Sequence, residues 1–225
     1  MLKMLLFDFD GTLVNSMSYY ADLAALLFVE HYSFPKEQAK HAYFKTSGIA
    51  FAKQLQILFP DHAANDKVAQ LFEAGKVNIK KQISLYPHVV ELLTLAHQMG
   101  YQIGISSSEN EDNIRQFMQK QNIDWDVILG TRNQTFTKGK AHYSYLLENH
   151  HLAHDDILFI GDSLQDYKIC AENEVAFVAY LSIFDERDFL QLHPKIPCYS
   201  DYKVLGYDLE QGKLFERARQ PLTLP

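Results

Sequence analysis

Five short apolar runs recur along the chain, at residues 2–7, 102–105, 127–129, 157–160 and 175–179, and helical patterns lie between them. Runs this short and this uniformly apolar suit strands buried on both faces. One of the helices between them lies within residues 87–100, where Val89, Leu92, Leu93 and Ala96 share a face, Pro87 stands at the start and Gly100 at the end. Another follows Ser108-Glu109-Asn110-Glu111, which reads as a capping box with Ser108 as the N-cap, and carries Ile114, Phe117 and Met118 on one face. Strands alternating with helices at this spacing predict an α/β fold, a doubly wound Rossmann-like parallel sheet covered on both faces.

The alternation fails once. Residues 16–81 contain no convincing strand, only helical periodicity such as Tyr20, Leu23, Ala24, Leu27 and Phe28. A parallel crossover needs only about a dozen residues plus a helix, so this stretch is expected to be an inserted helical cap domain rather than a connector. Residues 1–15 and 82–225 are then the core domain.

The formal net charge of −7, with no basic block, excludes a general nucleic-acid or anionic-membrane binder. The hydrophobic content of 47% excludes a disordered chain. Cys170 and Cys198 have no zinc or redox spacing, Asp8 interrupts the apolar N-terminus before a signal core could form, and the apolar run at 175–184 is about half a membrane span. A cytoplasmic protein, monomer or homodimer, with no nucleic-acid or membrane partner is the expectation. The tail after Gly212 is expected to be loosely held.

In open parallel sheets ligands gather at the carboxyl ends of the strands. There the sequence sets Asp8 and Asp10 after the first run, Ser106, Ser107 and Ser108 after the second, and Gly161-Asp162-Ser163-Leu164-Gln165-Asp166 after the fourth, with Lys138 and Lys140 ahead of a helix. Converging carboxylates call for a cation, and hard oxygen ligands suit Mg²⁺, with an anionic ligand such as phosphate completing the site. Alternation along an extended segment turns Asp8 and Asp10 the same way, with Phe9 opposite.

Asp8-Phe9-Asp10-Gly11-Thr12-Leu13 resembles the first motif of the haloacid dehalogenase-like hydrolase superfamily. Ser106, Lys138 and the segment from Gly161 to Asp166 are similar to its second, third and fourth motifs, in order, and the insertion resembles its small helical cap. The resemblance implies that Asp8 is the nucleophile and Asp10 the acid and base. It implies that Asp8, the Asp10 carbonyl and Asp162 hold Mg²⁺, with Asp166 and Ser163 auxiliary to it. Gly11, Ser106, Ser107 and Lys138 would hold the phosphoryl group, with Lys140 a rival to Lys138. Thr46, Ser47 and Gly48 resemble a substrate loop, an ordinary helix–helix turn being the equal alternative.

The implied activity is a Mg²⁺-dependent phosphatase of a small phosphorylated metabolite, phosphoglycolate-phosphatase-like, working through an aspartyl-phosphate. The enzymatic alternative is a β-phosphoglucomutase-like sugar phosphomutase. Such mutases carry a basic residue where Glu109 stands, and Glu109 would repel a second phosphate. Dehalogenation is disfavoured by the presence of Asp10. A phosphonatase would need a cap lysine, for which Lys45 and Lys53 are available. The alternative of another class is a non-catalytic regulatory or binding protein on the same scaffold, disfavoured because every position that chemistry requires is occupied.

Overall fold

The most apolar strand is the first, and it lies inside the sheet. In the computed structural model, which describes residues 2–218, β1 (Met4–Phe7) is fully buried and pairs in parallel with β2 (Gln102–Asn110) on one side and β4 (Ile157–Gly161) on the other. β3 (Val127–Thr131), β5 (Ala176–Tyr180) and β6 (Cys198–Tyr199) extend the sheet, in the order β3-β2-β1-β4-β5-β6. The pairings are all parallel. The sheet is therefore an α/β, Rossmann-like one, with a sixth strand beyond the expected five. β6 has only two residues, too short for any hydrophobic period to announce it.

The helices complete the layers. α5 (Val89–Gln98), α10 (Tyr202–Glu210) and α11 (Lys213–Ala218) join the cluster around Leu5, Phe7, Ile103 and Ile105. α7 (Lys140–Asn149) and α8 (Leu164–Glu172) pack with Met4, Leu6, Ile157 and Phe159 on the opposite face. α6 (Glu111–Met118) and α9 (Glu186–Leu192) also belong to these two layers. Asn110, not Ser108, caps α6, its side chain accepting from the Asp112 and Asn113 amides. β2 runs on through Ser108, whose hydroxyl is used elsewhere. The segment after Gly212 is not loose as far as it is described: Leu214 and Ala218 of α11 are buried in the core. Residues 219–225 of that tail lie outside the described residues.

Between β1 and α5 lie α1 (Met17–Tyr32), α2 (Lys36–Lys45), α3 (Phe51–Leu58) and α4 (Asn65–Ile79). They form a hydrophobic cluster of their own around Phe28, Phe51 and Phe72, with Phe51 and Phe72 stacked at 3.7 Å between ring centroids. Both cysteines are free. Among the described residues no helix is long and apolar enough to cross a membrane.

Candidate active site

The end of β1 turns because Gly11 permits it. Its φ is +81°, and a Cβ there would stand 2.1 Å from Asp162 Oδ2, so both the backbone angle and the space demand glycine. The turn carries Asp8 and Asp10 to one cavity while Phe9 packs into the core against Phe117. β4, adjacent to β1, delivers Asp162, and the first turn of α8 delivers Asp166.

Asp8, Asp162 and Asp166 converge, each with a carboxylate oxygen within 4.8 Å of the others, and all three are buried. Lys138 Nζ lies 2.8 Å from Asp8 Oδ1, is ion-paired with Asp166, and is 2% exposed. It also stands 5.2 Å from the Phe159 ring centroid. Burial alone would lower its pKa, but Asp166 and Asp8 raise it above the ordinary lysine value, so it is an ammonium. Lys140 sits exposed at the start of α7.

One ammonium cannot neutralise three carboxylates. Burial, then the charge of Asp166, pushes Asp8 up to about 6 against the pull of Lys138. Burial and the neighbouring Asp8 and Asp166 raise Asp162 well above the usual carboxylate value. Asp162 is held by hydroxyls, Thr12 Oγ1 donating at 2.9 Å and Ser182 Oγ at 3.1 Å. Tyr202 fixes Thr12 in turn by donating to its carbonyl at 2.7 Å. Ser163 and Asp166 form a reciprocal cap on α8: the Ser163 hydroxyl accepts from the Asp166 amide at 3.0 Å, and Asp166 Oδ2 accepts from the Ser163 amide at 3.2 Å. The cap turns the other Asp166 oxygen toward Lys138.

The Asp10 carboxylate stands outside the cluster. It accepts from Ser16 Oγ at 2.6 Å and opens onto the cavity. Burial first, then the charge of Glu109, pushes it up to about 7, with Lys76 opposing. A carboxyl near 7 is suited to giving and taking a proton at neutral pH.

One expected phosphoryl-holding residue, Ser106, and one expected substrate-loop residue, Thr46, lie away from the cavity. Ser106 does not line the cavity: its hydroxyl lies 2.9 Å from His142 Nδ1, deep in the core. His142 Nε2 is 3.2 Å from the Gly130 carbonyl, which can only accept, so Nε2 carries the proton and Nδ1 accepts from Ser106. Burial, reinforced by Lys138, pushes His142 down to about 4 and keeps it neutral. Ser107 lines the cavity instead, its oxygen accepting from the Glu109 amide at 3.2 Å. Thr46 also faces away, lying against the Ala42 and Tyr43 carbonyls and Gln54 Oε1. Ser47 and Gly48 do line the cavity, with the Ser47 hydroxyl donating to Phe44 O at 2.8 Å. Gly48 closes on the core: a Cβ on it would lie 2.3 Å from Ser163 Oγ, and its carbonyl accepts from Ser108 Oγ at 3.1 Å.

Glu109 is not the bare negative charge that the sequence suggests. It is ion-paired with Lys76 of α4, lies 4.0 Å from Lys80, and accepts from Asn113 Nδ2 at 2.6 Å. Neither Lys45 nor Lys53 lines the cavity. The whole space measures about 240 Å³, below the range of about 300–1,000 Å³ typical of pockets for drug-sized ligands.

Residues 5–180 match the family model of the haloacid dehalogenase-like hydrolases. The chain belongs to that family. It is 24% identical over 181 residues to a phosphoglycolate phosphatase of Aliivibrio fischeri, covering 73% of this chain and 78% of that one. Among solved structures it is similar to a hydrolase from Pseudomonas syringae, with a TM-score of 0.78 at 17% identity over 94% of this chain and 99% of that one. It also resembles a haloacid dehalogenase-like family hydrolase from Streptococcus pneumoniae, with a TM-score of 0.74 at 20% identity over 92% and 98%. At these identities the structural likenesses establish the fold; membership of the hydrolase family rests on the family model.

Proposed function

We propose that this hydrolase is a Mg²⁺-dependent phosphomonoesterase, phosphoglycolate-phosphatase-like in its chemistry, acting in the cytoplasm on a small phosphorylated metabolite. The observation that carries the reading is the trio of buried carboxylates with a single lysine between two of them, opening onto a small cavity beside a carboxyl poised near neutrality. The donor set fits a divalent ion: hard oxygens, an excess of negative charge, and pKa values raised by burial and by the neighbouring carboxylates. Asp8, Asp162 and the Asp10 carbonyl would hold Mg²⁺, with Asp166 behind them. When bound, the ion would offset the repulsion between carboxylate and phosphate.

The remaining work falls to the chain. An Asp8 carboxylate oxygen attacks phosphorus, the bond to the leaving oxygen breaks, and Asp10 gives that oxygen its proton. A water then attacks the aspartyl-phosphate, passing a proton to Asp10, and the bond from phosphorus to Asp8 breaks to release inorganic phosphate. Lys138 and the Ser107 hydroxyl supply donors for the transferring group, while Gly11 lets backbone amides approach it. The four-helix insert would act as a cap, with Gly48 against Ser163 as its seal. In place of a Schiff-base nucleophile, Lys76 is a charged ammonium, raised by Glu109 and Glu73 in spite of its burial. Phosphate release from p-nitrophenyl phosphate, with Mg²⁺ and with a chelator, tests the proposal. Activity that persists in Asp8→Asn, or no activity in the wild type with Mg²⁺, overturns it.

A further inference from the structure

The cavity wall also carries a charge arrangement that phosphoryl transfer does not require. Lys76, only 8% exposed, is ion-paired with Glu109, itself 1% exposed, and lies 3.0 Å from Glu73. The rings of Tyr20 and Phe72 flank its ammonium at 5.4 and 5.9 Å. Among the described residues, the cations lining the cavity are Lys76 and Lys138, and each is already held between two carboxylates. Lys80 touches Glu109 from outside the cavity. Even with Lys80 counted, two ammonium groups face two glutamates, and no positive charge is left over.

A ligand carrying a second anion beyond its phosphoryl group would therefore find no uncommitted ammonium on the cavity wall. It would instead approach the Glu109 carboxylate where water screens little. The wall beside the pair offers different partners. The phenols of Tyr20 and Tyr43 line it, and burial, then the charge of Asp10, raises both pKa values, so they remain neutral hydroxyl groups that donate and accept.

We propose that the Lys76–Glu109 pair makes this cavity selective for phosphomonoesters whose leaving group is an uncharged, hydroxyl-bearing alcohol, and that it rejects leaving groups bearing a carboxylate or a second phosphate. The inference rests on the phosphomonoesterase reading and narrows it. It separates the substrate of this chain from that in the name of its phosphoglycolate phosphatase relatives.

Two probes of equal length isolate the charge. 2-Hydroxyethyl phosphate and 2-phosphoglycolate differ only in a terminal CH₂OH against a carboxylate. With the Mg²⁺-loaded enzyme, kcat/KM is expected to favour 2-hydroxyethyl phosphate by about tenfold or more, as like-charge juxtaposition in a shielded site demands. Glu109→Gln should narrow that ratio, because Lys76 then keeps only the exposed Glu73. Calorimetric titration of Asp8→Asn with both probes reads the same preference without turnover. If hydrolysis fails in the wild type while the binding preference holds, the phosphomonoesterase reading falls and the charge selection stands. Equal or tighter binding of 2-phosphoglycolate, or a ratio that Glu109→Gln leaves unchanged, overturns the proposal.

Discussion

Consider the protein stripped of divalent ions by a chelator and melted at about pH 8 and again at about pH 6.5. Asp8 stands at about 6 and Asp10 at about 7 in the folded chain, against an ordinary 3.8. A carboxyl whose pKa is higher folded than unfolded binds its proton more tightly in the folded state. Stability from such a group is therefore gained as pH falls through the folded pKa, and lost again as pH rises through it. Over this interval Asp10 contributes most, and with Asp8 the gain is about 1 kcal/mol. Asp162 adds in the same direction, while the partial exposure of Asp10 subtracts. For a chain of this size the net gain, once the opposing His142 is counted, corresponds to a rise in Tm of about 1–2 °C. Glu109, Glu111 and Asp156 are lowered and titrate below the interval, whereas His142, pushed below its ordinary 6.5, opposes the gain in the lower part of the interval by about 0.4 kcal/mol. Scanning calorimetry with and without Mg²⁺ reads the effect. Saturating Mg²⁺ should keep the carboxylates ionised and flatten the slope. A chelated protein that melts lower at the more acidic pH, or identical slopes in both conditions, would refute the idea that the carboxylates are buried without sufficient positive charge.

Lys138→Met should lower kcat/KM for p-nitrophenyl phosphate by about 10²–10³, the effect of removing one preorganised donor, whereas Lys140→Ala should change it little; comparable losses would move the phosphoryl contact. Ser107→Ala should raise KM more than Ser106→Ala does. Ser106→Ala should instead lower Tm, because it leaves His142 Nδ1 buried without a donor, at about 1–3 kcal/mol. Gly11→Ala should fold poorly or lose activity outright, since the φ of +81° costs about 1–2 kcal/mol for an L side chain and the added Cβ would collide with Asp162; near-wild-type Tm and activity would contradict the turn as described.

The sheet was legible because β1 to β5 are apolar runs at α/β spacing, and the run of helices after β1 because helical periodicity continued from Tyr20 through Phe72 without a strand. What could not be read is contact across long separations. His142 looks like any helical histidine until Ser106, 36 residues earlier, is found against it. Ser182 lies 20 residues beyond the Asp162 it holds, in a segment of no special composition. Lys76 falls within the periodic pattern of α4, and only the docking of that helix against β2 gives it Glu109 as a partner. Ser108 and Asn110 were confused for a local reason: both are good caps, and where the strand ends decides between them. Thr12 was visible in the motif, and its hydroxyl on Asp162 could have been suspected from the carboxylates crowded nearby.

The central position of β1 also governs when this site can come into being during synthesis. The strand emerges first, yet its two neighbours begin at Gln102 and Ile157, so one side of its backbone stays unpaired until β2 is made and the other until β4 is made. Thr12 meets Asp162 across 150 residues, and Tyr202 meets Thr12 across 190. Such non-local closure slows folding, and it means that no truncated nascent chain ending before residue 166 can gather the acidic cluster. The buried hydrophobic cluster of α1 to α4 draws by contrast on residues 17–72 alone, so it can gather while Asp8 is still waiting for its partners.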